Sequence, residues 1–252
     1  MLDPIHPFPA RMAPEIAFDF LGELRKGAVV LDPMCGSGVS VRSAVVKQHE
    51  AIGFDVDPLA VLMSRVWTNN SKHSKLPLFA EDIARKARNR TDLRVPWHDH
   101  ETEPFVRFWF AKEQRDDLAR LALTIQCSRK LPPYARDAMK IALSRLIVTK
   151  TKGASLAWDV SHSRPHRKKD ENEFEVIDEF VRSCETLAKK LGSNEVDWVC
   201  SVKRGDAREL RIADESVDAI ITSPPYMNAI DYMRGHRLSL VWLGAHSPYI
   251  SH

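Results

Sequence analysis

The sequence has few cysteines and no long run of apolar residues. Its four cysteines lie far apart and form no C-x-x-C pair, at Cys35, Cys127, Cys184 and Cys200. This spacing favours reduced thiols and predicts neither a disulfide framework nor a zinc site. No apolar stretch approaches the roughly 20 residues that a membrane helix needs, and the proline-rich start of the chain lacks the features of a signal peptide. These absences predict a cytoplasmic protein without a membrane segment and without a bound metal.

Neither sign of charge is in large excess. The 37 lysines and arginines nearly balance the 34 aspartates and glutamates, which leaves a net charge of +3. A charge this small does not by itself indicate nucleic acid binding, so the local distribution of charge matters more. Hydrophobic residues make up 44% of the 252 residues and charged residues 28%, a composition that excludes a disordered tail and fits a globular enzyme.

Two stretches of the sequence have the pattern of an α/β fold, and a helical stretch separates them. Short apolar runs followed by polar turns indicate buried parallel strands. Four such runs cover residues 28–31, 51–54, 198–202 and 217–221. The first stretch extends to about residue 69, and about 130 residues between it and the second stretch have helical periodicity. We therefore expect a parallel sheet built from residues 1–69 and 198–252, with residues 70–197 as a helical insertion.

A glycine-rich turn follows the first predicted strand. It reads Asp32-Pro33-Met34-Cys35-Gly36-Ser37-Gly38, and glycines directly after a buried strand let the backbone approach a ligand closely. The turn has neither the third glycine of a dinucleotide fingerprint nor the Gly-Lys-Ser/Thr of a P-loop. The carboxylate of Asp32 would repel a pyrophosphate and attract a positively charged ligand. S-adenosylmethionine, which carries an amino group and a sulfonium, is such a ligand.

Acidic residues also follow the second and third predicted strands. Asp55 stands where an acidic side chain of a Rossmann-like sheet accepts hydrogen bonds from ribose hydroxyls. Asp57, directly before a proline, is better explained as the N-cap of the next helix. Asp206 is suited to bind an adenine amino group, although an aspartate in a Gly-Asp-Ala turn is often only a turn former.

The tetrapeptide Ser223-Pro224-Pro225-Tyr226 follows the fourth predicted strand. Its prolines end the strand ladder and stiffen the turn, so the Ser223 hydroxyl and the Pro224 carbonyl can both hold one exocyclic amino group. Hydrogen bonds to such an amine localise its lone pair and aim it at a methyl donor, which is catalysis by positioning and electrostatics. Tyr226 offers an aromatic face on which an extruded base can stack. A plain Pro-Pro turn with a core tyrosine is the alternative.

Several segments together resemble the N4-cytosine and N6-adenine DNA methyltransferases. They are residues 6–11, which read His-Pro-Phe-Pro-Ala-Arg, the glycine turn, residues 53–58, the tetrapeptide and residues 228–232. The resemblance implies a Rossmann-like class I methyltransferase fold that binds S-adenosylmethionine and DNA, as in the modification half of a restriction system. In this family Ser-Pro-Pro-Tyr is typical of N4-cytosine enzymes, whereas Asp-Pro-Pro-Tyr or Asn-Pro-Pro-Tyr is typical of N6-adenine enzymes. The serine favours cytosine, with N6-adenine methylation and, more remotely, RNA guanine methylation as alternatives.

The resemblance also implies which residues form the cofactor site. Phe8, Pro9 and Ala10 would line the methionine end of the pocket, although a proline-rich terminus that only packs on the sheet explains them nearly as well. Cys35 is also explained as a small packing residue of the turn. The implied cofactor-binding residues are Phe8, Pro9, Ala10, Asp32, Pro33, Cys35, Gly36, Gly38, Asp55 and Asp206, and the catalytic residues are Ser223, Pro224, Pro225 and Tyr226.

A cluster of basic residues lies in the predicted insertion. Residues 161–169 contain Arg164, Arg167, Lys168 and Lys169 together with hydroxyl side chains. Such a loop can neutralise phosphates, which supplies affinity for DNA without sequence information. A solvated surface without a ligand is the alternative.

The predicted strands are fewer than those of the fold that the sequence resembles. That fold usually has a seven-stranded sheet, whereas the last of the four predicted strands ends at Ile221. An unpaired parallel edge is apolar and prone to association. We therefore expect a missing C-terminal segment or a second polypeptide to complete the sheet. On this interpretation the chain alone is a catalytically weak fragment that binds the cofactor or DNA.

Overall fold

The computed structural model describes residues 2–9, 11–71, 73–147, 149, 152–158, 166–192, 198–225 and 232–244. The strands are β1 Val29–Asp32, β2 Glu50–Asp55, β3 Ala157–Trp158, β4 His166–Arg167, β5 Cys200–Arg204 and β6 Ala219–Ile220. The helices are α1 Pro14–Gly22, α2 Val39–Val46, α3 Pro58–Thr68, α4 Leu76–Arg88, α5 Thr102–Trp109, α6 Lys112–Cys127, α7 Pro133–Ser144, α8 Val176–Gly192 and α9 Tyr232–Leu243, with a short 3-10 helix at His73–Lys75.

The chain divides into two compact units. The first, which we call the sheet unit, comprises Met1–Lys72 and Lys190–Ile230. The second, which we call the helical unit, comprises His73–Lys189 and Asp231–His252. None of the described helices has the length and hydropathy needed to span a membrane.

The sheet unit is built on four parallel strands in the order β5-β2-β1-β6. Val30 in β1 aligns with Ala51 on one side and with Ala219 on the other, and Ala51 aligns with Cys200 of β5. The two late strands thus flank the two early ones on opposite sides. The predicted α/β class with a parallel, Rossmann-like sheet is confirmed, and each predicted strand overlaps an observed one.

Apolar residues of the first two helices and of three strands form the core of the sheet unit. Helix α2 is buried along nearly its whole length because it packs on α1, β1 and β2. Full burial of one valine stabilises the fold by roughly 1.5–3 kcal/mol relative to an exposed side chain. The core residues include Ala17, Leu21, Val30, Val41, Ala44, Val45, Ala51 and Val202.

Strand β6 is shorter than the predicted run 217–221. The residue before it, Asp218, contacts β1 through both backbone and side chain. Its amide donates a hydrogen bond to the Val29 carbonyl at 2.8 Å, and its carboxylate accepts hydrogen bonds from the Val29 amide at 2.8 Å and from Arg25 at 2.9 Å. Among the described strands β6 pairs with β1 alone, and Ile220 is 62% exposed. The completion of this edge by further chain stays a prediction.

The helical unit has a core of its own. Helix α4 packs on α6 and α7, and α9 packs on α5, α6 and α7. Trp242 of α9 is 2% exposed and meets the ring of Phe110 edge-on, with 5.2 Å between ring centroids. The hydroxyls of Ser144 and Ser239 lie 2.8 Å apart in the same core. A two-stranded antiparallel ribbon of β3 and β4 completes the described part of this unit.

The last helix packs in the helical unit. Helix α9 belongs there, whereas the sequence expectation assigns 198–252 to one catalytic part, and that assignment stays a prediction. The physical reason is that α9 buries Leu238 and Trp242 against helices of that unit, so its largest apolar contacts are not with the sheet. The functional roles predicted for the three sequence segments stay predictions.

His73 should make the stability of the helical unit depend on pH. The imidazole is 4% exposed, packs edge-on against Tyr134 at 5.4 Å between ring centroids, and has no hydrogen-bond partner for either ring nitrogen among the described residues. Burial lowers its pKa below the ordinary value of 6.5. Below about pH 6.5 the imidazole is therefore protonated in the unfolded chain but stays neutral in the folded chain. As a result the free energy of unfolding falls as the pH is lowered.

We expect His73→Leu to flatten part of this decline, as measured by urea unfolding between about pH 7.5 and about pH 5, a range that brackets the ordinary histidine pKa. The exposed His100 offers the matched control, and His100→Leu should leave the slope of the wild type unchanged. An equal decline in the His73 variant would show that its protonation is not coupled to folding.

Candidate active site

The carboxyl ends of the four parallel strands meet at one edge of the sheet. Backbone hydrogen bonds join the segments that leave these strands, from the Cys35 amide to the Phe54 carbonyl at 2.8 Å and from the Gly205 amide to the Asp55 carbonyl at 3.0 Å. On the other side the Ile221 amide donates to the Leu31 carbonyl at 3.0 Å. The edge therefore collects the glycine turn, both acidic strand ends and the start of the tetrapeptide, as expected for a ligand site of an open α/β sheet.

The glycine turn requires its glycines. Gly36 and Gly38 have φ angles of +50° and +92°, in the left-handed region that other residues adopt at a cost. A Cβ on Gly36 would lie 3.1 Å from the ring of Phe8, and one on Gly38 would lie 2.7 Å from the Ser64 hydroxyl and 2.9 Å from the Ser64 Cα. The turn is thus packed between the N-terminal segment and helix α3, and Gly38 forms the N-cap of α2.

A cleft of about 310 Å³ opens beside this turn. Five of the predicted site residues line it, namely Phe8, Asp32, Cys35, Gly36 and Ser223. The cleft thus brings the predicted cofactor turn and the first residue of the catalytic tetrapeptide to one place. Sequence reasoning missed the other lining residues, which are Arg11, Met12, Met34, Ser37, Val39 and Ser40.

The remaining predicted residues lie around the cleft or outside the described residues. Pro9 is buried, while Pro33 and Gly38 belong to the glycine turn without lining the cleft. Pro224 and Pro225 directly follow Ser223 and are exposed. Ala10 and Tyr226 lie outside the described residues, so their predicted roles stay predictions.

Asp32 holds three separate segments together. It is 2% exposed, and one carboxylate oxygen accepts hydrogen bonds from the Met34 amide at 3.0 Å and from the Thr222 hydroxyl at 2.7 Å. The other oxygen accepts from the Ser40 hydroxyl of α2. Burial raises the pKa of the Asp32 carboxyl, and the three hydrogen bonds oppose that rise. The side chain therefore organises the site as well as lining it.

Asp55 links the glycine turn to helix α3. Its two oxygens accept hydrogen bonds from the Gly36 amide at 2.8 Å and from the Asp57 amide at 2.9 Å. Burial raises the pKa of the Asp55 carboxyl, while these two bonds lower it. The Asp57 carboxylate accepts from the Leu59 amide at 2.8 Å, so Asp57 is the N-cap that the sequence indicates. Each oxygen of Asp55 retains accepting capacity, and its ribose role stays a prediction.

Asp206 forms the turn after β5. Its carboxylate accepts a hydrogen bond from the Arg208 amide at 2.9 Å and pairs with the Arg208 guanidinium at 2.6 Å. The hydrogen bonds from Arg208 lower the pKa of Asp206 to about 2. The turn-forming alternative is therefore observed. An adenine amino group would share this carboxylate with Arg208, and that role stays a prediction.

The chain has relatives among known methyltransferases. The Type II methyltransferase M.MvaI of Kocuria varians is 25% identical over 275 aligned positions, which cover 94% of this chain and 56% of the relative. M.AvaI of Nostoc sp. is 25% identical over 85% of this chain and 48% of its own length. M.BsoBI of Geobacillus stearothermophilus is 23% identical over 88% of this chain and 48% of its own length.

The chain is similar to Type II methyltransferases. No protein-family model matches it, and no solved structure matches it significantly. The chain spans about half the length of the curated relatives it matches. The similarity supports the predicted methyltransferase family, and with it the use of a methyl donor. The choice between cytosine N4 and adenine N6 stays a prediction.

The predicted DNA-binding residues belong to the helical unit. Arg164 lies outside the described residues, whereas Arg167, Lys168 and Lys169 are exposed on and after strand β4. The guanidinium of Arg167 lies over the ring of Phe108, 5.2 Å from its centroid, and pairs with Asp170 at 3.2 Å. Arg167 thus has contacts within the protein, and the role of this loop in DNA binding stays a prediction.

Gly38→Ala should damage the cleft and the fold together. The substitution forces a left-handed φ on alanine, which costs roughly 1–3 kcal/mol, and its Cβ clashes with the Ser64 backbone. Urea unfolding should show at least this loss, and binding of a methyl donor should fall in calorimetry. Gly22→Ala is the matched control, because nothing lies within 4 Å of its added Cβ, and it should change stability by less than about 1 kcal/mol. A fully stable Gly38 variant would contradict the assigned geometry of the turn.

Proposed function

We propose that this chain carries the cofactor-binding and catalytic residues of a DNA methyltransferase of a restriction-modification system. It would transfer a methyl group from S-adenosylmethionine to the exocyclic N4 amine of cytosine. The observation that carries the proposal is the position of Ser223 in the wall of the cleft beside the glycine turn. A residue suited to hold an amino group lies next to a pocket suited to a positively charged donor. Similarity to Type II methyltransferases supports the same reaction class.

The residues around the cleft fit S-adenosylmethionine. The cleft is open to solvent at one end of the sheet and is lined by both polar and apolar side chains. The lining combines the negative charge of Asp32 with the positive charge of Arg11, which matches a ligand that carries an amino group, a sulfonium and a carboxylate. Phe8 and Met12 add apolar surface for its hydrocarbon parts. When bound, this cofactor supplies an electrophilic methyl group.

The catalytic work of the chain is to hold the target amine. The Ser223 hydroxyl and the Pro224 carbonyl each accept a hydrogen bond from one N–H group of this amine. These bonds draw the nitrogen toward tetrahedral geometry and make its lone pair available for attack. Pro224 and Pro225 stiffen this segment, so the acceptors need little reorganisation during the reaction. Tyr226 would stack on a base that has left the duplex. No covalent bond between enzyme and base is required.

Adenine is the second candidate target. Cytosine N4 and adenine N6 are both exocyclic amines, and the same two acceptors could hold either. Ser223 favours cytosine because the N6-adenine enzymes that the sequence resembles carry aspartate or asparagine at this position. The methylated nucleoside decides between the two.

Ser223→Ala should reduce methyl transfer by about 10- to 100-fold, because one hydrogen bond to a developing charge contributes roughly 1.5–3 kcal/mol. Affinity for S-adenosylmethionine should change little, because the hydroxyl acts on the substrate amine. The assay uses methyl-labelled cofactor and mixed DNA, followed by mass spectrometry of nucleosides, with N4-methylcytosine as the expected product.

The matched control is Ser216→Ala, which removes an exposed hydroxyl that binds the Ala213 carbonyl on the loop before β6. It should transfer methyl groups at the wild-type rate. Wild-type activity in Ser223→Ala would show that the Ser223 hydroxyl has no catalytic role. N6-methyladenine as the sole product would establish the adenine alternative.

The exposed lysines after β4 should contribute to DNA affinity through phosphates. Replacing Lys168 and Lys169 together by glutamine should weaken binding and reduce the slope of log K against log salt by about 0.9 for each lost contact. Arg129→Gln with Lys130→Gln removes the same charge from another exposed site of the helical unit, and this control should keep the wild-type slope. If both double variants have the wild-type slope of log K against log salt, the loop is a solvated surface that does not contact phosphates.

A further inference from the structure

We propose that Thr222 is a positioning residue, which places Ser223 and Pro224 for methyl transfer through the hydrogen bond that its hydroxyl donates to Asp32. The hydrogen bond from Thr222 Oγ1 to Asp32 Oδ1 is 2.7 Å long and joins residues 190 positions apart. The inference rests on the proposed function, since it concerns how the acceptors of that reaction are held. Thr222 itself does not line the cleft, and the proposed role requires no contact between Thr222 and the substrate.

The backbone alone holds the acceptor segment poorly. Strand β6 has only two residues, and the last backbone hydrogen bond that ties this segment to β1 runs from the Ile221 amide to Leu31. Pro224 and Pro225 have no amide proton, so they cannot extend the ladder. The Thr222 side chain therefore provides the next tie to β1 at the point where the ladder stops.

The acceptor of this tie is itself immobilised. Asp32 is 2% exposed and also accepts hydrogen bonds from the Met34 amide and the Ser40 hydroxyl. One of these donors belongs to the glycine turn and the other to helix α2. Through Asp32, Thr222 is thus connected to the glycine turn and to helix α2, which line the cleft, and not only to strand β1. Because transfer needs the amine and the methyl group in line, a shift of about 1 Å between the two walls can cost on the order of 100-fold in rate.

Three variants distinguish a Thr222 hydroxyl that only supports the fold from one that positions the two acceptors. Thr222→Val keeps the shape of the side chain and removes the donor, while Thr222→Ser keeps the donor and removes a methyl group. Thr68→Val is the matched control in the same unit, because it removes a buried hydroxyl that binds the Ser64 carbonyl at 2.8 Å in α3.

The experiment measures steady-state transfer, cofactor affinity by calorimetry and hydrogen exchange of the Ile221 amide, which donates to the Leu31 carbonyl, in the full chain. Thr222→Val should lower kcat by at least about tenfold, with the KM for DNA and the Kd for S-adenosylmethionine within roughly threefold of the wild type. Its Ile221 amide should exchange faster. Thr222→Ser should keep the wild-type kcat and the wild-type exchange of Ile221, and Thr68→Val should leave both unchanged.

Two outcomes overturn the inference, namely an unchanged kcat in Thr222→Val and an equal loss of kcat in Thr222→Val and Thr222→Ser. A wild-type chain that binds no S-adenosylmethionine would instead count against the proposed function. In that case, and equally if the chain alone transfers no methyl group, the Ile221 amide decides about Thr222. Faster exchange confined to Thr222→Val supports the positioning role, and equal exchange in all variants overturns it.

Discussion

A carboxylate that is removed from water must find hydrogen-bond donors, because an unpaired buried charge costs several kcal/mol. The donors around Asp32 come from three segments, the Met34 amide of the glycine turn, the Ser40 hydroxyl of α2 and the Thr222 hydroxyl after β6. This one buried side chain therefore connects the segment that would hold the cofactor with the segment that would hold the target amine. The relative placement of both walls of the cleft depends on it.

Asp55 extends the same principle to the neighbouring strand. It ties the Gly36 amide to the start of α3. Burial raises the pKa of its carboxyl, and the negative charges of Asp57 and Asp32 add to that rise. Two acidic groups close together beneath one turn are costly in the free protein, and a positively charged ligand would relieve that cost. The electrostatics of the turn therefore suit a cationic methyl donor better than a phosphate.

Much of the fold follows from local patterns. The runs 28–31 and 51–54 are recognisable as strands because a parallel strand covered on both faces needs continuous apolar sequence, and both were found within one residue of their predicted ends. Asp57 is recognisable as an N-cap because its bond to the Leu59 amide is local. The observed fourth strand is shorter than its predicted run, and the contacts of the Asp218 side chain with Val29 and Arg25 beside it were not predictable, because they join residues more than 180 positions apart.

Local sequence patterns were enough to predict the α/β class and the strand ends that carry the glycine turn and the tetrapeptide. Tertiary structure decided which of these residues share a cleft, that Asp206 is paired with Arg208, that α9 belongs to the helical unit, and that Thr222 and Ser40 meet on Asp32. The division has a physical cause. Period and turn chemistry act between residues close in sequence, whereas the partner of a buried polar group is selected by packing, which brings together atoms that no sequence spacing relates.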